Sequence, residues 1–560
     1  MDKLKPKLFS VMKTYTKEQC AKDIIAGIIV AIIALPLSIA LALASGVTPE
    51  RGLYTAIVAG FVISFLGGSR VQIAGPTAAF ATIVAGIVAR NGMEGLVIAT
   101  IMAGIMLIIM GFLKFGRLLR FIPYTITTGF TFGIAVTILI GQIKDFLGLT
   151  INTKPVETME KLLACFENIT TINYQALLIG ALSLSILILW PKINNKIPAS
   201  LIAVVISAAV VKLFEVDVNT IGSLYDISSK PPTLQIPSFD FTMIRSLLPD
   251  AVTIALLAGI ESLLSCVVAD GMVGSKHRSN MELIAQGTGN IFSSLFGGIP
   301  ATGAIARTAA NVKNGGRTPI AGMVHAITLF LILVVLMPYA ALIPMPTIAA
   351  ILFMVAYNMS EWREFVDLIK KSPKSDIAVL VATFTLTVVF DLVVAIEVGI
   401  LMAAILFMKR MSDVAEVQSW RYMEDATDDD LADDEMHENN RMKKVPKHTM
   451  VYEINGPMFF GAADKFMNIS VDSHVKAVIL RMKSVPAMDV NALHTLNNVL
   501  KSCKKRHITV ILSHVQEQPL KLMQKAGFDK QIGDENICEN IDRALERAEE
   551  LQKAAAHQAS

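Results

Sequence analysis

Cysteine is scarce and never arranged for chemistry. The five in 560 residues, Cys20, Cys165, Cys266, Cys503 and Cys538, include no CxxC pair and no Cys/His spacing, which excludes a disulfide framework and a zinc site. No phosphate loop, nucleophile–base pair or metal-ligand set is visible, so neither an enzyme nor a cofactor or metal is expected. Charge is thin as well, at 17% of residues with a formal net charge of +3. Nothing concentrates lysine and arginine on a stripe that could track phosphates, so no nucleic-acid partner is expected.

Apolar residues fill the space, at 53% of the chain with a mean hydropathy of +0.56. Such a composition describes a polytopic membrane protein surrounded by lipid. The basic start, the apolar run and Ala42-Leu43-Ala44 imitate a signal peptide. The charge-free stretch from Ile24 to Pro49 is too long for one, contains Pro36, and is followed at once by more membrane segments.

A hydrocarbon core of about 30 Å needs roughly 20 helical residues. Charge-poor windows place spans near 24–44, 52–67, 76–90, 94–113, 121–143, 174–190 and 197–214. A second set lies near 250–269, 281–297, 303–312, 318–337, 343–357, 376–391 and 393–408. Fourteen segments in two sets of seven force the halves to be inverted with respect to each other, an architecture that forms its site where the repeats meet. Basic residues gather in alternate loops, whereas 45–51, 144–173 and 215–249 hold few of them. Both termini are therefore expected in the cytoplasm.

The stretch Gly297-Gly298-Ile299-Pro300-Ala301-Thr302-Gly303-Ala304-Ile305-Ala306-Arg307-Thr308 interrupts this pattern with glycine and proline and carries one arginine. No charge occurs over 283–306 or 318–324, so Arg307 lies at or near hydrocarbon depth, where a charge faces a partner, a ligand or a water-filled cavity. Snorkelling from a helix end is the bland alternative. An earlier stretch, Gly67-Gly68 followed by Gln72-Ile73-Ala74-Gly75-Pro76-Thr77-Ala78-Ala79, repeats the arrangement; Gly297 lies 230 residues beyond Gly67. Paired broken segments of this kind point to the substrate site of an inverted-repeat transporter. Two helix N-termini meeting at mid-membrane, with Thr77 and Thr302 hydroxyls and the Arg307 guanidinium, make an anion site. Gln72 is placed to line it.

The other central charge is Glu261, the sole charged residue of Ala251–Ala269, with Ser265 a turn later. A carboxylate at this depth pairs, coordinates an ion or takes up a proton. Glu261 is read as the coupling proton site, with Ser265 beside it; a static Glu261–Arg307 ion pair is the alternative. Asp391 and Glu397 flank a wet turn, and His325 reads as a satisfied packing residue.

The composition changes after Met411. Residues 1–22 read as a cytosolic segment, 23–411 as the transmembrane domain (repeats about 23–214 and 250–411), 412–447 as an acidic flexible linker, 448–552 as a soluble α/β domain and 553–560 as a tail. Met450–Ile454, Ala477–Met482 and Ile508–Ser513 read as buried strands. Val490–Cys503, Pro519–Ala526 and Asn536–Gln552 read as amphipathic helices.

The pieces Gly75-Pro76-Thr77, Gln142-Ile143-Lys144-Asp145-Phe146-Leu147-Gly148, Ile260-Glu261-Ser262-Leu263-Leu264 and Ala306-Arg307-Thr308 resemble the sulfate permease (SulP) family of anion transporters, and within it the bacterial proton-coupled dicarboxylate branch. The resemblance spans nearly the whole chain. It implies a seven-plus-seven inverted repeat shared with nucleobase transporters, core and gate domains, a C-terminal STAS domain and a homodimer in the bacterial cytoplasmic (inner) membrane. It also implies an elevator motion, with the anion held at Thr77, Ala78, Thr302, Ala304 and Arg307. Glu261 falls where sodium-coupled members of the family have an aspartate, a departure that favours a proton over sodium. Asp489-Val490-Asn491-Ala492 lacks the hydroxyls of the phosphorylated STAS loop, so a phosphoswitch there is not expected.

The expected function is proton-coupled uptake of a small anion, with a C4-dicarboxylate such as succinate or fumarate favoured and sulfate or bicarbonate as alternatives. A nucleobase–proton symporter and a sensor or scaffold acting through a cytosolic protein partner of the STAS domain are the rivals.

Overall fold

The computed structural model describes residues 4–116, 123–153, 155, 157–194, 197–238, 241–390, 392–414, 416–419, 445–459 and 475–559. The chain divides into two compact units, Met1–Met402 and Ala403–Ser560.

In the first unit the apolar windows become helices α1 (Lys17–Ala44), α2 (Pro49–Leu66), α3 (Ala81–Phe112), α4 (Tyr124–Leu147), α5 (Tyr174–Ile193) and α6 (Ala199–Leu213). The second repeat supplies α7 (Leu248–Val273), α8 (Ser279–Leu295), α9 (Ile305–Lys313), α10 (Ile320–Ala340), α11 (Met345–Ser360), α12 (Lys374–Val389) and α13 (Leu392–Val414). The spans read at 76–90 and 94–113 run together as α3. They are separated only at a kink at Gly92, whose φ of 67° and ψ of −168° no other residue type adopts easily. Six helices among the described residues are long and apolar enough to cross a membrane unaided; the remainder are shorter or less apolar.

Two helices were not visible as spans, Thr158–Glu167 and Trp362–Lys371. The second is too charged to cross a bilayer. It buries Phe365 against Phe132 and Phe384, with ring centroids 4.5 and 5.4 Å away.

The helices sort into two groups. In one, α8 packs on α3 and α2, α10 on α1 and α2, and α7 on α3 and α9; in the other, α11 packs on α4 and α5, and α12 on α4. These correspond to a core and a gate. Small residues let the core helices approach closely: a Cβ on Gly104 would lie 2.6 Å from Ile291 Cγ1 and 2.7 Å from the Gly287 carbonyl oxygen. Without a strong hydrophobic drive between helices in lipid, such close backbone contact carries the association.

The broken stretches pair with each other. Strand β1 (Ala74–Gly75) and strand β2 (Thr302–Gly303) form a two-residue antiparallel ladder, with Ala74 opposite Gly303 and Gly75 opposite Thr302. Each continues into a helix, β1 through a 3₁₀ turn at Ala78–Phe80 into α3 and β2 into α9. The ladder therefore lays the two helix starts side by side.

The second unit carries a five-stranded sheet in sequential order: β3 (Glu416–Ser419), β4 (Thr449–Asn455), β5 (Ala477–Ser484), β6 (Thr509–Ser513) and β7 (Ile537–Cys538). All neighbours are parallel except β3, which pairs antiparallel with β4. One face buries Val478, Leu480 and Leu512 against Leu496 of α14 (Val490–Lys505), Met523 of α15 (Glu517–Lys525) and Phe528 of α16 (Phe528–Ile532). The other face buries Val451, Ile479 and Ile511 against Ile541, Ala544, Leu545 and Ala548 of α17 (Ile541–Ala559), a helical i, i+3, i+4, i+7 stripe. Asp489 caps α14, its carboxylate accepting from the Ala492 N–H at 2.8 Å.

Two boundaries move. Strand β3 lies inside the segment read as flexible linker, because its backbone finds a partner in β4, and α17 runs on through the residues read as a tail. The acidic run over 424–438 lies outside the described residues, as does Asp391.

Substitution Gly287→Val should overpack the α3–α8 crossing, since a Cβ there meets the Gly104 carbonyl and lies 2.8 Å from Ile108 Cγ1. A cost of about 1–3 kcal/mol is expected, read as a lowered unfolding midpoint of the detergent-solubilised protein. Gly271, whose Cβ would meet nothing within 4 Å, is the control position.

Candidate functional site

Arg307 is the centre of the candidate site. It lies in the first turn of α9 and is 2% exposed. Its Nη2 donates to the Pro76 carbonyl at 2.6 Å, across the ladder in the opposite repeat. Its Nε and Nη1 are buried without a partner. A guanidinium offers five N–H donors in a fixed fork, so this one is largely unspent. Gly75 makes the approach feasible, because a Cβ at that position would collide with Arg307 Nη1.

Glu261 faces the site from α7. Its carboxylate accepts from the Thr77 hydroxyl at 3.1 Å, and it is only partly buried. No ion pair joins it to Arg307; the two charges engage Thr77 and Pro76, neighbouring residues of the same turn. The static-pair alternative is therefore not the arrangement found. Thr77 has extended backbone and leaves the following turn without a side-chain cap, and Ala304, which precedes α9, cannot supply one. Two helix starts with uncapped N–H groups thus flank the guanidinium.

The remaining expected residues divide by their partners. Ala78 is buried and Ala304 partly exposed at the two helix starts. Thr302 is fully buried, and its hydroxyl donates to the Ala258 carbonyl at 3.0 Å, away from a ligand role. The Gln72 side chain spans to α7, donating to the Ser262 carbonyl at 3.0 Å and accepting from Cys266 Sγ at 3.0 Å. Ser265 donates to the Thr308 hydroxyl at 3.4 Å, which in turn accepts from the Ile73 N–H at 3.0 Å. The structure so brings Thr77, Glu261, Arg307, Ala78 and Ala304 together, and assigns the polar groups of Gln72, Thr302 and Ser265 to holding the ladder against α7.

Other contributors were not legible. Glu282, fully buried, accepts from the N–H groups of Gly68 and Ser69 at 2.8 and 3.1 Å and from Gln286 Nε2 at 2.9 Å. Its only signal is that it bounds the charge-free run. Thr55 accepts from the Ile299 N–H at 2.7 Å, Asn290 from the Ala301 N–H at 2.8 Å, and Asn311 donates to the Val71 carbonyl at 2.8 Å. His325, read as satisfied, is fully buried with both ring nitrogens unpartnered.

A buried guanidinium with no carboxylate against it, between two broken helices of opposite repeats in a helical membrane unit that an α/β domain follows in the chain, is the arrangement expected of a membrane carrier for anions. Residues 20–383 match the model of the sulfate permease family, and residues 440–544 match that of the STAS domain. YvdB of Bacillus subtilis (strain 168), provisionally named a sulfate transporter, is 40% identical over 536 residues, covering 95% of this chain and 98% of the relative. The bicarbonate transporter BicA of Picosynechococcus is 30% identical over 544 residues, 94% of each chain. The murine Solute Carrier 26 family member A9 anion transporter, solved facing inward, superposes with a TM-score of 0.85 at 18% identity, over 98% of this chain and 94% of that one. The chain belongs to the sulfate permease family: it is an anion transporter with a C-terminal STAS domain, and not an enzyme.

Substitution Gly75→Ala should displace the guanidinium without removing any titratable group. A weakening of anion affinity of about tenfold or more is expected, equivalent to about 1.4 kcal/mol. Unchanged half-saturation in an uptake assay would remove Arg307 from the site.

Proposed function

We propose that this protein carries a small oxyanion into the cell together with a proton, by an elevator-type movement of the core against the gate. Its reading as a homodimer in the bacterial inner membrane, with both termini cytoplasmic, belongs to the same proposal. The observation that carries it is the Arg307 guanidinium, buried with Nε and Nη1 unpartnered and no carboxylate against it. A buried charge without a counter-ion is costly, and a ligand anion is the counter-ion that removes the cost.

Glu261 supplies the coupling. It is partly accessible beside Thr77, a hydroxyl that can donate to a carboxylate or accept from a carboxylic acid. Anion entry brings negative charge towards Glu261 and raises the demand for a proton there. Protonation of Glu261 removes one negative charge from the loaded site: a monoanion on Arg307 then leaves no net charge and a dianion leaves one negative charge rather than two, which lowers the cost of crossing the low-dielectric region.

A C4-dicarboxylate such as succinate or fumarate is favoured by the resemblance of the sequence to the proton-coupled dicarboxylate branch of the family. Sulfate is the second reading, favoured by the name of the Bacillus relative. Bicarbonate fits a proton-coupled carrier less well, since bicarbonate and a proton together make carbon dioxide and water, and carbon dioxide crosses membranes unaided.

Uptake of labelled succinate, sulfate and bicarbonate into proteoliposomes, under an inward proton or sodium gradient, tests this reading. Proton-driven accumulation of one anion is expected. Arg307→Ala should reduce its affinity by about 100-fold, as loss of a buried charged hydrogen-bonding group costs about 3 kcal/mol. Glu261→Gln should abolish proton-driven accumulation and retain counterflow; a Gln variant that still concentrates the anion on a proton gradient refutes the coupling role.

A further inference from the structure

His325 has no place in the reading above, yet it lies behind the same site. It is on α10, fully buried, with Nδ1 and Nε2 both unpartnered. Two glycine positions fix the neighbourhood. A Cβ on Gly60 would lie 3.3 Å from the Ala74 carbonyl oxygen and 4.0 Å from His325 Cδ2. A Cβ on Gly75 would meet Arg307 Nη1 and lie 3.6 Å from Ala56 Cα. Ala56 and Gly60 are one turn apart on α2, and Ala74 and Gly75 are consecutive on β1. Arg307 and His325 thus occupy successive places along one α2–β1 seam.

Their unmet groups are complementary. A guanidinium has donors only, and a neutral imidazole has one acceptor nitrogen and one donor. Arg307 holds two unpartnered nitrogens, Nε and Nη1. Buried donors of a charged group left without any acceptor carry a large penalty, and a single ordered water is enough to join polar groups beyond direct reach.

We propose that His325 is a positioning residue that serves the empty carrier, its acceptor nitrogen holding the free Arg307 N–H groups through a buried water when no anion is bound. The inference rests on Arg307 being the anion site. It assigns His325 a role in one half of the transport cycle. A carrier performing net uptake must return empty, with the guanidinium unpaired, whereas one exchanging internal for external anion crosses loaded in both directions. Removing the acceptor makes the empty state less favourable and leaves the loaded state unchanged. Apparent anion affinity should therefore rise, because a ligand binds more tightly when its unbound state is destabilised, and net uptake should slow.

The test compares His325→Leu, which removes the acceptor, with His325→Gln, which keeps a side-chain acceptor, in proteoliposomes of the full-length protein. Labelled succinate, sulfate and bicarbonate are the probes, each measured as net proton-driven uptake and as exchange against internal unlabelled anion. For His325→Leu we expect the ratio of net uptake to exchange to fall by about tenfold or more, corresponding to about 1.4 kcal/mol on the empty state. A lower half-saturation concentration for exchange should accompany it. His325→Gln should restore the ratio to within about threefold of wild type, about 0.7 kcal/mol. Equal loss of both activities in His325→Leu, a raised half-saturation concentration, or a Gln variant that behaves like Leu overturns the proposal. If His325→Leu does not fold, His325→Phe replaces it as the variant without an acceptor and is compared with His325→Gln in the same way. A wild-type protein that moves none of the three anions defeats the transport reading itself. Exchange without any effect of His325 defeats only this inference.

Discussion

Everything at the site depends on how extended backbone is satisfied at membrane depth. Lipid offers no hydrogen bonds, so a non-helical segment there survives only if protein groups pair with its N–H and C=O groups. The two repeats solve this reciprocally. Glu282, on the second helix of the second repeat, takes the N–H groups of Gly68 and Ser69 in the first. Thr55, on the second helix of the first repeat, takes the N–H of Ile299 in the second. The ladder between Ala74–Gly75 and Thr302–Gly303 closes the arrangement. Each broken segment is thus held by the other half of the chain.

Holding the ladder consumes most of the polar side chains nearby. Gln72, Thr302 and Ser265 reach α7 or Thr308, Asn311 reaches Val71, and Asn290 binds both Ala301 backbone groups. What remains free is a short set: the Arg307 donors, the Glu261 carboxylate with its single Thr77 partner, and the uncapped helix starts at Ala78 and Ile305. The structure separates groups that build the site from groups left for a ligand. Residue type alone does not, because a threonine serves either purpose.

This explains what was legible in the sequence. Span positions, the paired Gly/Pro interruptions, the lone Arg307 and the lone Glu261 follow from charge and periodicity, since each violates or obeys a strong rule about hydrocarbon. The three central strands of the α/β domain follow from their buried apolar runs. The direction of a hydroxyl or amide does not, because Gln72 pointing to a cavity and Gln72 pointing to Ser262 have the same pattern. Glu282 escaped notice for a related reason: a carboxylate at the end of a charge-free run reads as a solvated helix end, whereas it binds the backbone of a segment 214 residues away. Strand β3 was hidden by its surroundings, being a short polar edge beside an acidic run.

The absence of a Glu261–Arg307 pair is the feature that makes transport physically coherent. Had the two charges met, each would have neutralised the other, and an anion would have had to displace a buried carboxylate before binding. Breaking such a pair costs several kcal/mol, a barrier charged against every cycle. With Glu261 turned to Thr77 and Arg307 turned to Pro76, each charge is restrained by a neutral group that can release it. Pro76 lends a carbonyl and Thr77 a hydroxyl, and the two are adjacent in the turn that starts α3. An anion that draws Arg307 from Pro76 therefore pulls on the turn that positions Thr77, and so on the hydrogen bond to Glu261. On the proposed proton-coupled reading, that turn is the route by which the charge of the substrate and the protonation of the carboxylate act on one another without the two side chains touching.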